Sequence, residues 1–124
     1  MASEQEIETN ILNELEDMHG IVAFKFPRGQ KSFSRRNTVR YSGNGVADII
    51  VNIAHAGMCF VIYLEVKAKT GRLRKSQINF RDEIMSIYGL YYLVRSVQDA
   101  LDAIEDARKH FNSYIQLARM PREG

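Results

Sequence analysis

The chain has 124 residues, 17 Lys and Arg against 15 Asp and Glu, a net charge of +2 and one cysteine. That length suits one compact domain with a real core and not two. A single cysteine excludes a disulfide framework and a thiolate zinc cluster, and no run approaches the roughly 18 apolar residues of a membrane helix. The acidic, polar start MASEQEIETN is unlike a secretory leader, so a soluble, cytoplasmic protein is expected.

From the N-terminus, Ile7, Ile11, Leu12, Leu15 and Met18 recur at helical spacing, which predicts a helix over about 4–18 stopped by Gly20. IVAFKF, β-branched and aromatic and closed by Pro27, predicts a short strand. Residues 28–44 hold Gly, Ser and Asn at both ends and little apolar periodicity beyond a short strand at 38–41, so they read as a mobile basic loop. VADIIVNI and MCFVIYLEVKA, joined by a turn around AHAG, predict an antiparallel hairpin. A turn centred near Ala56 pairs residues whose numbers sum to about 112 or 113, placing Asp48 opposite Leu64 or Glu65.

Ser76 then reads as the cap of a second helix over 77–88, with Phe80, Ile84 and Ile87 or Tyr88 inward and Gly89 as its stop. LYYLV predicts a further buried strand. Ser96 caps a third helix carrying Val97, Leu101 and Ile104, with Asp99 in its first turn. The domain is expected over 1–110, and 111–124 reads as a C-terminal tail, a short helix or dimer contact. Cys59, in an apolar run, reads as a small buried side chain, and His19, His55 and His110 lack ligand spacing.

Charge is segregated along the chain. Residues 1–17 carry six acids and no Lys or Arg, whereas residues 18–81 carry twelve Lys and Arg and only two acids, Asp48 and Glu65. The bases form two clusters, one from Lys25 to Arg40 and one from Lys67 to Lys75, a pattern that attracts polyanions and points to nucleic acid. Strand alternation puts Val61, Tyr63, Glu65 and Lys67 on one face and Phe60, Ile62, Leu64, Val66 and Ala68 on the other. If Asp48 faces Glu65, two carboxylates share a half-buried surface, at a cost of several kcal/mol unless a cation lies between them. Oxygen ligands of this kind suit Mg²⁺ or Mn²⁺. Lys67, on the same face, would orient or deprotonate a metal-activated water. The plainer reading of Glu65 and Lys67 is an ion pair at a strand end.

An acid in GVADIIV, Glu-x-Lys in LEVKAKTG and SQINF opening the next helix resemble, in that order, the virus-type replication-repair nuclease (VRR-NUC) domain. This is a branch of the PD-(D/E)xK nuclease superfamily, and the resemblance covers about residues 4–95. It implies an α/β fold in which helices flank a mixed central sheet, in the order αβββαβα. It further implies Asp48 and Glu65 as metal ligands together with the Val66 backbone carbonyl, Lys67 as the catalytic lysine, and Gln77, followed by Phe80, near the site. A glutamate on the first helix belongs to the pattern. Glu8 is preferred to Glu4 because it borders the apolar stripe, and it would add a ligand. The family usually has proline where this chain has Ala47, a change of backbone shape and not of ligand.

The resemblance implies a Mg²⁺-dependent (or Mn²⁺-dependent) endodeoxyribonuclease, resolving Holliday junctions in phage or viral DNA replication, recombination or repair. It would act in the host cytoplasm as a homodimer on branched DNA. Arg28, Lys31, Arg35, Arg36, Arg40, Lys69, Arg72, Arg74 and Lys75 would contact the DNA backbone. The alternative is a non-catalytic nucleic-acid-binding module on a nuclease-like fold.

Overall fold

The computed structural model describes residues 1–26 and 45–121. The expected basic loop over 28–44, with its 38–41 strand and Arg28, Lys31, Arg35, Arg36 and Arg40, lies outside the described residues. Seven elements follow in the order αβββαβα: α1 (Glu4–Glu16), β1 (Ile21–Lys25), β2 (Ile49–His55), β3 (Met58–Val66), α2 (Lys75–Ser86), β4 (Leu90–Val94) and α3 (Val97–Arg119). They make a mixed α/β fold whose four-stranded sheet runs β1-β2-β3-β4. The first two pairings are antiparallel and β3–β4 is parallel. No described helix is long and apolar enough to cross a membrane.

α1 begins where the Ser3 hydroxyl accepts the Glu6 amide at 3.2 Å, and Glu4 and Glu6 in its first turn complement the helix dipole. Its buried face is Ile7, Glu8, Ile11 and Leu15, an apolar i, i+4, i+8 stripe interrupted by one charge. Ile49, Val51 and Ile53 of β2 meet Ile62, Leu64 and Val66 of β3 on the sheet face that α1 and α3 cover. From α3 the stripe Ala100, Ala103, Ile104, Ala107 and Phe111 closes that core. Each of these larger side chains contributes about 1.5–3 kcal/mol of burial. Among the described residues α2 covers the opposite face, and its Phe80 ring lies edge-on to Tyr63 at 5.4 Å and tilted against Tyr91 at 6.2 Å.

The β2–β3 hairpin closes through two residues, Ala56 at φ 52° and Gly57 at φ 78°. Consecutive left-handed residues match the right-handed twist of the flanking strands. Every pair from Ile49↔Leu64 to His55↔Met58 sums to 113. Of the two expected registers this is the one that faces Asp48 towards Glu65.

Five expectations are corrected. α2 starts at Lys75 with Arg74 as its N-cap, and Ser76 lies inside its first turn. The cap role passes to Gln77, whose Oε1 accepts the Arg74 amide at 2.7 Å. Ile87 and Tyr88 are exposed, because α2 ends before them; Tyr88 takes the left-handed position (φ 66°) expected of Gly89. Glycine is still required at 89, since a Cβ there would stand 2.4 Å from Ile84 Cγ2. β4 is half-buried except for Val94, being an edge of the described sheet. Cys59 is exposed, on the end of the sheet face that α2 does not reach. The expected boundary at 110 falls inside α3, which carries Phe111 into the core, stacked on Phe60 at 4.2 Å.

Candidate functional site

At one end of the sheet β1 finishes, β2 starts and β3 finishes. Lys25 pairs with Ile49 and Ile49 with Leu64, while the Phe26 amide donates to the Asp48 carbonyl at 2.9 Å. Asp48 therefore stands just outside β2, and continuing the register by one residue sets it opposite Glu65. Its Oδ2 accepts the Val66 amide at 2.8 Å, a buried, charge-assisted bond that fixes the carboxylate against the Glu65–Val66–Lys67 backbone. The Lys67 amide donates in turn to the Val94 carbonyl at 3.0 Å, so the β3–β4 ladder continues as far as the lysine.

Among the described residues the buried polar or charged side chains are Glu8 (4% exposed), Asp48 (5%), Glu65 (0%), Lys67 (4%) and Gln77 (7%). These are the five residues that sequence and resemblance select as catalytic. A domain of this size keeps few charges out of water, because each costs several kcal/mol unless compensated. Directly opposed residues of a strand pair hold their Cβ atoms about 5 Å apart, and two like unit charges at that separation repel by roughly 3 kcal/mol at an effective dielectric of about 20.

Glu8 reaches this corner from α1 and forms an ion pair with Lys25 at 2.9 Å. Lys25 is next to Phe26, whose amide holds Asp48. Glu4 approaches from the same helix: a Cβ on Gly71 would lie 3.3 Å from Glu4 Oε1 and 3.3 Å from Lys67 Cδ. Both glutamates thus border the site, Glu8 buried and Glu4 partly exposed. Gln77 arrives from α2, and its hydrogen bond goes to the helix start. The approach of α2 depends on Gly45 (φ 93°), where a Cβ would stand 2.5 Å from the Ser76 carbonyl oxygen. Lys69, Arg72, Arg74 and Lys75 are exposed along the connection from β3 to α2, and Arg95 Nη1 steadies it by donating to the Ala68 carbonyl at 2.5 Å.

Sequence reasoning missed Lys25 as the partner of Glu8, Gly45 as the contact with α2, and Tyr91. The Tyr91 hydroxyl is buried and finds no hydrogen-bond partner among the described residues. Burial above all, then the negative charges of Glu65 and Asp48, hold its proton far above the ordinary phenol range. Only the alternation of LYYLV hinted at it, and the phase of β4 against β3 is not readable from one strand.

No group of three or more His, Cys, Asp or Glu side chains gathers as a metal cage among the described residues. A cation here would rest on two carboxylates, backbone carbonyl and water, the set that Mg²⁺ accepts. No family model and no curated protein matches this chain.

Proposed function

We propose that this chain is a Mg²⁺- or Mn²⁺-dependent DNA endonuclease of the VRR-NUC type, with a PD-(D/E)xK core, acting on branched DNA as a homodimer. The observation that carries the reading is the coincidence of five buried polar side chains with the five residues of the motif, Glu8, Asp48, Glu65, Lys67 and Gln77. Buried ionisable groups gathered at one corner of a small domain are a frequent mark of a functional site.

Asp48, Glu65 and the Val66 carbonyl would hold the cation, which supplies Lewis-acid polarisation of the phosphodiester and a more acidic water. The chain's own residues do the rest. The Val66 amide keeps the Asp48 carboxylate from rotating away. Lys67, held by its backbone bond to Val94, would orient the attacking water as an ammonium, or take its proton once it is itself a neutral amine. Lys25 keeps Glu8 turned towards the corner. Exposed Lys69, Arg72, Arg74 and Lys75 offer non-specific contacts to phosphates, with Arg28, Lys31, Arg35, Arg36 and Arg40 assigned to the same task from outside the described residues. Two copies would bring two such sites to a junction.

The purified chain is expected to nick four-way junctions in MgCl₂ or MnCl₂ and not in EDTA, followed by gel electrophoresis of end-labelled strands. A chain that binds DNA yet leaves junctions, flaps and duplexes intact with either metal is instead a binding module.

A further inference from the structure

Tyr91 pairs with Tyr63 in the parallel β3–β4 ladder, and Glu65 pairs with Leu93. In such a ladder paired residues share a face, so Tyr91 is on the Glu65 face, one strand over and one pleat back. The Phe80 ring of α2 lies tilted against it at 6.2 Å. The ring is well packed, but its hydroxyl is buried with no hydrogen-bond partner among the described residues. Phenylalanine would fill the same space without a polar atom. A buried O–H is destabilising unless an acceptor reaches it. The charges that bear on it are the Glu65 and Asp48 carboxylates, with the Arg81 guanidinium opposing them.

We propose that Tyr91 is a positioning residue of the cation site, donating its hydroxyl through one ordered water to the Glu65 carboxylate. The inference rests on the cation-site reading above. A water at that point has the polar neighbours it needs, the phenol as donor and the carboxylates as acceptors. Groups that hydrogen-bond a ligating carboxylate fix its orientation and thereby set metal affinity, without touching the metal.

Calorimetric titration of the full chain with MnCl₂ tests this. Tyr91→Phe is expected to weaken Mn²⁺ binding roughly tenfold. DNA binding in EDTA should stay unchanged. Tyr92→Phe serves as the control: that hydroxyl is bonded to Asp106 at 2.7 Å on the α3 side, and its loss should leave Mn²⁺ affinity as it is. Wild-type protein that takes up no Mn²⁺ overturns the cation site and this inference together. If wild type binds Mn²⁺ and Tyr91→Phe binds it equally well, the Tyr91 assignment alone falls, whatever the variant's melting temperature. Equal weakening by Tyr92→Phe also overturns it.

Discussion

The two faces of the sheet are built on different principles, although the same strands supply both. Towards α1 and α3, β2 and β3 present Ile49, Val51, Ile53, Ile62, Leu64 and Val66, all of them fully buried and aliphatic. Towards α2 the intervening positions of β3 are Val61, Tyr63 and Glu65, running from exposed through half-covered to buried and charged. Among the described residues one helix of 12 residues covers this second face, against 13 and 23 for the pair on the first. The contrast teaches that side-chain alternation along β3 separates the aliphatic core from the buried charges. A change at Ile62, Leu64 or Val66 is a packing change, whereas on the proposed reading a change at Glu65 or Lys67 is a change of site.

Substitutions can break that separation or sharpen it. The largest effect is expected from Lys67→Ala, which should lower the cleavage rate by about 10²- to 10⁴-fold in single-turnover assays. Asp48→Asn should do likewise, and both chains should keep wild-type DNA binding in EDTA; a fully active variant would remove that residue from the mechanism. Next is Leu64→Ala, immediately before Glu65 but on the other face. It should cost about 2–5 kcal/mol in denaturant unfolding while the folded fraction keeps its Mn²⁺ affinity. Weakened Mn²⁺ binding in the folded Leu64→Ala chain would show that the faces are coupled. Smallest is Gly45→Ala, at the point where the Asp48 segment touches α2. The left-handed φ and the approach to the Ser76 carbonyl should together cost about 1–3 kcal/mol. This is the one substitution expected to lower both stability and Mn²⁺ affinity.

Much of this arrangement was legible in the sequence because it depends on local rules. The period of Ile7, Ile11 and Leu15, the Ser96 cap with Asp99 behind it, and the short hairpin all come from neighbouring residues. The turn narrowed the register to two, and the observed pairing is the one that turns Asp48 towards Glu65. What escaped depends on the distance between elements. Cys59 is in as apolar a run as Ile62, but it lies on the opposite sheet face and is exposed, whereas Ile62 packs in the core beneath α1 and α3. Phe111 reads as the start of a tail because 111–124 ends in MPREG with no clear apolar pattern, yet stacking on Phe60 draws it inward. Gln77 outcompeted Ser76 as a capping group because its longer side chain reaches back to the Arg74 amide. Tyr91 needed the parallel pairing of β4, which no local pattern encodes.

The two-residue turn at Ala56 and Gly57 has a consequence for how the chain can vary in length. It lies at the far end of the hairpin from Asp48, yet it acts as the ruler of the site. One residue added there would shift β2 against β3 by a single step and turn every β2 side chain to the opposite face. Asp48 would then lose the Val66 amide, and Ile49, Val51 and Ile53 would leave the core. Insertions at this exposed tip should therefore be far less tolerable than its position on the surface suggests.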